Sequence, residues 1–236
     1  MINGGSCLCI IPARGGSKRI PYKNIKSLYG KPLIQWTIEA GIESNCIDRL
    51  IVSTDDSEIA EISKICGAEV PFIRPKFLAE DSTSQYAVLE HACQFLSEQG
   101  DSYDYIIVLQ PTSPLRTSKH IDEAAKLLID KKADGIISVT GANHPTEWCN
   151  VLPSSKEMKG FIDSFDMARQ SQNFEQKYCL NGAIYITSSI RMQEEGSHIY
   201  GKSMFAYEME GGDSIDIDEL IDFEIAEFLI SKRFKI

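Results

Sequence analysis

The feature that most constrains this chain is an alternation. Short β-rich apolar runs at Cys7–Ile11, Leu50–Ser53, Ile106–Leu109 and Ile136–Val139 are separated by longer segments in which apolar residues recur every three or four positions. Those helical segments are Pro32–Ser44, Ser57–Cys66, Ser84–Leu96 and Ser118–Lys131, and Pro32, Ser57, Ser84 and Ser118 suit a helix cap or first turn. A strand that is apolar throughout has both faces buried, so this alternation predicts an α/β fold: a mostly parallel sheet with helices on both faces. The rhythm breaks at Asn143-His144-Pro145, Pro153-Ser154-Ser155 and Gly160, and residues 140–177 read as an excursion from the sheet. Order returns at Tyr178–Ile186, and a terminal helix is expected from about Glu219 to Lys232. With 236 residues and no internal repeat, one domain over 1–236 is expected.

In a sheet of this kind the ligand crevice lies at the carboxyl ends of the strands, which directs attention to the loops after Ile11, Ser53 and Leu109. The first loop reads Pro12-Ala13-Arg14-Gly15-Gly16-Ser17-Lys18-Arg19-Ile20-Pro21-Tyr22-Lys23-Asn24. Two glycines without Cβ allow backbone N–H groups close to an anion, and Arg14, Lys18 and Lys23 can neutralise a triphosphate. The loop matches neither the P-loop pattern nor the dinucleotide G-x-G-x-x-G, which weighs against an ATPase and a dehydrogenase. The bland alternative is a solvated basic turn.

Near the other end, Ser214-Ile215-Asp216-Ile217-Asp218 alternates with period two, which places both carboxylates on one side of an extended segment. Mg²⁺ takes one or two carboxylates together with substrate phosphate oxygens, so Asp216 and Asp218 are the candidate metal ligands and Mg²⁺ the expected cofactor. The alternative is that Asp218 caps the last helix and Asp216 is solvated. A third loop, Gln110-Pro111-Thr112-Ser113-Pro114-Leu115-Arg116, offers an amide, hydroxyls and a guanidinium to a polyhydroxylated acid, or is an ordinary strand-to-helix turn. Ser53-Thr54-Asp55-Asp56 reads as a cap for the next helix, and His91 and His198 as structural or surface residues.

Charge bounds the partners. Against 24 Lys and Arg stand 34 Asp and Glu, a net charge of −10 that would repel nucleic acid. The basic residues nevertheless crowd between Arg14 and Lys31 while acids dominate after Asp213, which suggests a local anion site. Seven cysteines without C-x-x-C or zinc-finger spacing suit a reducing cytoplasm. No apolar run approaches the roughly 20 residues of a membrane span, and no export signal is read at the amino end.

At these residues the chain resembles the acylneuraminate cytidylyltransferases, the CMP-sialic-acid synthetases. The matching segments include Ile11–Lys18, Lys23-Asn24-Ile25, Gly30–Leu33, Val52–Asp55, Arg74-Pro75, Leu78–Asp81, Gln110–Arg116, Asn181–Tyr185 and Asp216–Asp218, in family order over nearly the whole chain. The resemblance implies a Rossmann-like nucleotidyltransferase fold and a homodimer whose excursion reaches the partner's active site. It also implies Mg²⁺-dependent transfer of CMP from CTP to a nine-carbon sugar acid. By position it assigns Arg14, Gly15, Gly16, Ser17, Lys18, Lys23 and Asn24 to the CTP phosphates, and Arg74, Thr83 and Ser84 to the base and ribose. Gln110, Arg169, Asn181 and Tyr185 fall to the sugar, and Asp216 and Asp218 to the metal. Arg14, Lys18 and Asp216 are the expected catalytic residues.

The chain departs from many sialic-acid enzymes where they carry a basic residue after the excursion's His-Pro and an Arg-Pro before Asn-Gly. Here the sequence reads His144-Pro145-Thr146-Glu147-Trp148 and Cys179-Leu180-Asn181-Gly182, which leaves Arg169 or Lys177 to meet the sugar carboxylate. Legionaminic acid or another bacterial nonulosonate is the alternative acceptor. Cytidylyl transfer to 3-deoxy-manno-octulosonate, a D-x-D glycosyltransferase and a nucleotide sensor without catalysis are the more distant readings.

Overall fold

The structure is a computed structural model that describes residues 1–162, 166, 168–199 and 201–234. Eight strands occur among them: β1 (Cys7–Pro12), β2 (Ser27–Leu28), β3 (Lys31–Pro32), β4 (Arg49–Ser53), β5 (Tyr105–Val108), β6 (Gly135–Gly141), β7 (Tyr178–Ser188) and β8 (Met204–Glu208). The helices are α1 (Leu33–Ile42), α2 (Ser57–Ile65), α3 (Gln85–Glu98), α4 (Ser118–Lys131), α5 (Ser189–Glu195) and α6 (Leu220–Phe234). Six strands form one sheet in the order β4-β1-β5-β7-β6-β8, while β2 and β3 make a small ribbon.

The sheet is mostly parallel, as the apolar runs require, with one reversal. β7 runs against both β5 and β6, pairing Tyr185 with Val108 on one side and Ile137 on the other. Gly141 pairs with Tyr178 and Thr140 with Cys179, so β6, the excursion and β7 form one long hairpin. Antiparallel neighbours need no helical crossover, and the intervening residues emerge at the edge where β1, β4 and β5 end. Residues 163–165 and 167 of the excursion lie outside the described residues.

Alternation along β1 builds both layers. Cys7, Cys9 and Ile11 face a core with Ile34 and Ile38 of α1, Ile59 of α2, and Ile121 and Leu128 of α4. Leu8 and Ile10 face the opposite way, toward Leu89 and Leu96 of α3 and Met192 of α5. Each fully buried aliphatic side chain contributes roughly 1.5–3 kcal/mol relative to exposure. A third cluster, with Leu28, Leu33, Leu115, Ile217 and Phe223, seats α6 against the crevice wall.

The helix starts refine the sequence reading by a residue. Asp56, not Ser57, caps α2, its carboxylate accepting from Glu58 N at 2.8 Å and Ile59 N at 3.0 Å. Thr117, not Ser118, caps α4, and His120 returns a bond to complete a capping box. Ser84 caps α3, accepting from Ala87 N at 3.2 Å.

Candidate active site

The basic loop is held on both sides. Ala13 N donates to Ser53 O at 3.0 Å, carrying the β1–β4 pairing past the strand end, and buried Asn24 donates through Nδ2 to Arg14 O at 3.0 Å. Gly15 N donates to Asp55 Oδ1 at 3.1 Å, and a Cβ on Gly15 would lie 2.7 Å from Asp56 Oδ2, so only glycine fits this approach. Gly16 has open space around it. Ser17 N donates to Gly15 O at 2.9 Å. The amides of Gly15 and Ser17 therefore point at protein acceptors, contrary to a cradle built from successive free N–H groups. The loop's capacity for an anion resides in its side chains.

Those side chains are already turned toward carboxylates. Arg14 Nη1 lies 2.7 Å from Asp81 Oδ1, and Lys18 pairs with the same carboxylate. The Lys18 and then the Arg14 hydrogen bond hold the Asp81 carboxyl below its ordinary range. Arg19 reaches Asp218 Oδ2 at 3.1 Å. Lys23, mostly shielded, donates from Nζ to Ile217 O at 2.6 Å and lies 3.7 Å from Asp218 Oδ1.

Ile217 is the anchor that delivers the acidic pair. Its side chain is fully buried, and its N–H donates to Thr112 O at 2.8 Å, which ties the segment to the loop after β5. Asp216 keeps access to solvent, yet atoms crowd it. This loss of hydration raises its carboxyl above the ordinary value, Asp218 and Asp222 add to the rise, and the Thr112 hydrogen bond and Lys23 oppose it. Asp218 does not cap the last helix with its side chain. Asp222 Oδ2 accepts from Asp218 N at 3.0 Å and Glu219 N at 2.8 Å, while the Asp218 carboxylate turns to Arg19 and Lys23.

Between these elements opens a cavity of about 350 Å³ whose walls include Arg14, Lys23, Asn24, Arg74, Thr83 and Gln110. A second space of similar volume adjoins it, bounded by Arg14, Ser17, Lys18, Lys23, Asp81 and Asp218. Arg74 is buried, anchored by Arg74 N donating to Thr54 O at 2.7 Å, and its Nη2 lies 3.7 Å from Asp55 Oδ1. Burial draws its guanidinium pKa down and Asp55 opposes this. Thr83 Oγ1 donates to Phe77 O at 3.0 Å.

The opposite corner is assembled from β5 and β7. Gly182 has a φ of +73°, and a Cβ there would lie 2.8 Å from Gln110 Oε1 and 3.8 Å from Asp216 Oδ2, which places the three residues side by side. Tyr185 is buried, and its hydroxyl is raised by burial and then by Asp216. Asn181 Oδ1 accepts from Ser138 Oγ at 2.6 Å and its Nδ2 donates to Ser214 Oγ at 3.0 Å, so this amide fastens the sheet to the segment carrying Asp216.

Arg169 and Lys177 stay within the excursion. The Arg169 guanidinium stacks 4.1 Å over Phe174, approaches Asp166 Oδ1 at 3.4 Å and donates to Asn173 O. Lys177 Nζ lies 2.6 Å from Glu147 Oε1.

Arg116 follows the structural of its two readings: it is 2% exposed and donates through Nη1 to Gln110 O at 3.2 Å and Ala183 O at 3.1 Å, so it braces the loop from beneath. Asp55, Asp81 and Gln85 were missed as site residues. Asp55 carried a signal in its place directly after a parallel strand, and Asp81 in the family-like segment Leu78–Asp81 that it closes. Among the described residues no three His, Cys, Asp or Glu side chains cluster to hold a metal.

Comparison with known proteins converges on this geometry. Residues 8–194 match the family model described as cytidylyltransferase. The chain is 35% identical over 227 residues to the N-acylneuraminate cytidylyltransferase of Escherichia coli O18:K1:H7, covering 96% of this chain and 52% of that one. It is 34% identical over 222 residues to the pseudaminic acid cytidylyltransferase of Campylobacter jejuni serotype O:2, covering 94% and 95%. This chain thus spans about half of the first relative and nearly all of the second. The solved CMP:2-keto-3-deoxy-manno-octonic acid synthetase complexed with CTP superposes with a TM-score of 0.71 over 97% of this chain at 16% identity, a likeness of fold. The chain belongs to the cytidylyltransferase family and is a nucleotidyltransferase.

Proposed function

We propose that this cytidylyltransferase transfers CMP from CTP to the anomeric hydroxyl of a nine-carbon 2-keto sugar acid of the sialic acid type, with release of pyrophosphate. The observation that carries this reading is the tie between Lys23 and the acidic segment, 194 positions away in sequence. It turns the cations suited to a triphosphate and the carboxylates suited to its counter-ion toward one crevice.

The acceptor's C2 oxygen attacks the α-phosphorus in line; an O–P bond forms, the bridging bond to the β-phosphate breaks, and pyrophosphate leaves. The hydroxyl proton passes to a carboxylate oxygen of Asp216. Such transfers depend mainly on positioning and on cancelling charge. Arg14 and Lys18 supply that charge by exchanging Asp81 for phosphate oxygens. Arg74, Thr83 and Ser84 take the nucleoside side, and Gln110, Asn181 and Tyr185 the acceptor side. Asp216 and Asp218 fit Mg²⁺, a hard cation that keeps to oxygen and completes its shell with substrate phosphates, and when bound it offsets the negative charge of the transferring phosphoryl group.

A homodimer is supported by large apolar side chains left exposed on the excursion hairpin, among them Val151 at 87%, Leu152 at 54% and Leu180 at 57%. In that assembly Arg169 reaches the neighbouring crevice. A cytoplasmic setting is supported by seven free thiols. No described helix is long and apolar enough to cross a membrane.

Legionaminate or another bacterial nonulosonate is the second reading, favoured by Glu147, which stands where a cation is expected and neutralises Lys177. Pyrophosphate release with CTP and Mg²⁺, measured across N-acetylneuraminate, pseudaminate, legionaminate and 3-deoxy-manno-octulosonate, tests the assignment. Turnover of a nine-carbon acid is expected. Turnover of the eight-carbon acid alone, or of none, overturns it.

A further inference from the structure

We infer that His198 is a positioning residue that orients the Gln85 and Gln110 amides at the acceptor corner, and thereby sets affinity for the acceptor sugar. The inference rests on the proposed function for its substrate, and on a hydrogen-bonded chain of three residues for its geometry.

Gln85 opens α3 and Gln110 follows β5; both side chains line the cavity. Gln110 Nε2 donates to Gln85 Oε1 at 3.4 Å, and His198 Nε2 lies 3.1 Å from the same oxygen. His198 itself does not line the cavity. It enters from the segment after α5, is 5% exposed, and is held by Tyr185 in an edge contact with centroids 5.3 Å apart.

The surroundings choose its tautomer. Among the described residues His198 Nδ1 is buried without a partner, so a proton there would be an unsatisfied donor and would turn the Nε2 lone pair against the Gln85 oxygen. A proton on Nε2 satisfies the donor and the acceptor together. The imidazolium would need an acceptor at Nδ1 that is absent, and burial accordingly pulls the pKa down to about 4. His198 is therefore a neutral donor across the physiological range.

With two donors on its oxygen, Gln85 has its amide orientation fixed and keeps its amino group for a ligand acceptor. Gln110, its amino group drawn to Gln85, keeps Oε1 on the side of Gly182 and Asp216. The pair thus offers N–H donors from Gln85 and a carbonyl acceptor from Gln110 beside the residues that face the acceptor. An amide is nearly symmetric in shape, so without His198 either glutamine can rotate and present the wrong dipole. His198→Phe removes the donor, and His198→Gln retains one on a flexible side chain.

The test measures KM for the acceptor and for CTP in wild type, His198→Phe, His198→Gln, Gln85→Leu and the Phe/Leu double variant. The expected result is a rise of about tenfold in acceptor KM for His198→Phe, recovery to within about threefold for His198→Gln, and CTP KM within about twofold throughout, the size of one lost hydrogen bond. Gln85→Leu should cost at least as much as His198→Phe, and the double variant should be no worse than Gln85→Leu alone. Additive losses, equal shifts in both KM values, or an unchanged acceptor KM would overturn the inference. A ¹⁵N spectrum of the histidine rings in the unmodified protein provides a readout independent of turnover. It should show His198 protonated at Nε2 from pH 6 to 8, and a proton at Nδ1 contradicts the relay even in an active enzyme. Absence of turnover on every acceptor with the Nε2–H tautomer in place would instead count against the proposed function.

Discussion

The two halves of the sheet reach the crevice in different ways. On the parallel side, β4, β1 and β5 run together; the loops directly beyond β1 and β5 bring Arg14 and Gln110 to the crevice, and Asp55, beyond β4, accepts from Gly15 N behind them. On the other side β7 is reversed, so it begins at that same edge, and Asn181, Gly182 and Tyr185 lie within a strand. The parallel half offers charge on exposed side chains such as Lys18 at 78%, whereas the reversed half offers buried groups such as Asn181, which is bonded to Ser138 and Ser214. One side is built to exchange ion pairs for a charged ligand, the other to hold shape. The halves meet where Lys23 touches Ile217 and Asp218.

Breaking that junction should have the largest effect. Lys23→Met is expected to lower kcat/KM about 10²-fold, because it removes a cation next to developing charge and frees the acidic segment. Steady-state pyrophosphate release checks this, and a loss below threefold would mean the halves work without the tie.

The rigid half should reveal itself in pH dependence. The His198 pKa is lowered to about 4 in the folded chain, against about 6.5 unfolded. Between those values the unfolded chain binds more protons, so this contribution is complete above pH 6.5 and is lost as pH falls toward 4, on the order of 3 kcal/mol. Chemical denaturation at stepped pH should show a shallower acid loss in His198→Gln than in wild type.

Glycine substitutions separate the halves next. Gly182→Ala places a Cβ against Gln110 at a φ of +73° and should cost about 1–2 kcal/mol of stability and raise acceptor KM. Gly16→Ala meets open space and should leave the melting temperature within experimental error. A small effect on binding is expected from Asp81→Asn, which releases Arg14 and Lys18 and should lower CTP KM a few-fold, as exposed pairs are weak. A higher CTP KM would identify Asp81 as an organiser of those cations and not their placeholder.

The same contrast explains what could be read from the sequence. Runs such as Ile106–Leu109 disclose burial on both faces, and the loops beyond them disclose Arg14, Lys18 and Gln110, since in a parallel sheet position after a strand is position at the crevice. Direction is not encoded in an apolar run, so the reversal of β7 was invisible. The edge strand β8 reads Met-Phe-Ala-Tyr-Glu, half exposed, and gives no continuous apolar signal. Arg116 could be read as a ligand-facing cation or as part of an ordinary turn, because its type was legible and its burial was not. The family-like segment Leu78–Asp81 marked Asp81 but not its pairing with Arg14 and Lys18, and the Gln85–His198 contact, spanning 113 positions, is announced by no local pattern.

The most direct measurement is the rate of pyrophosphate release from CTP in Asp216→Asn, with acceptor saturating and Mg²⁺ titrated. An isosteric amide keeps the packing and removes the charge. The account predicts a loss of at least about 10²-fold at every Mg²⁺ concentration with an unchanged melting temperature. A rate within threefold of wild type would contradict it.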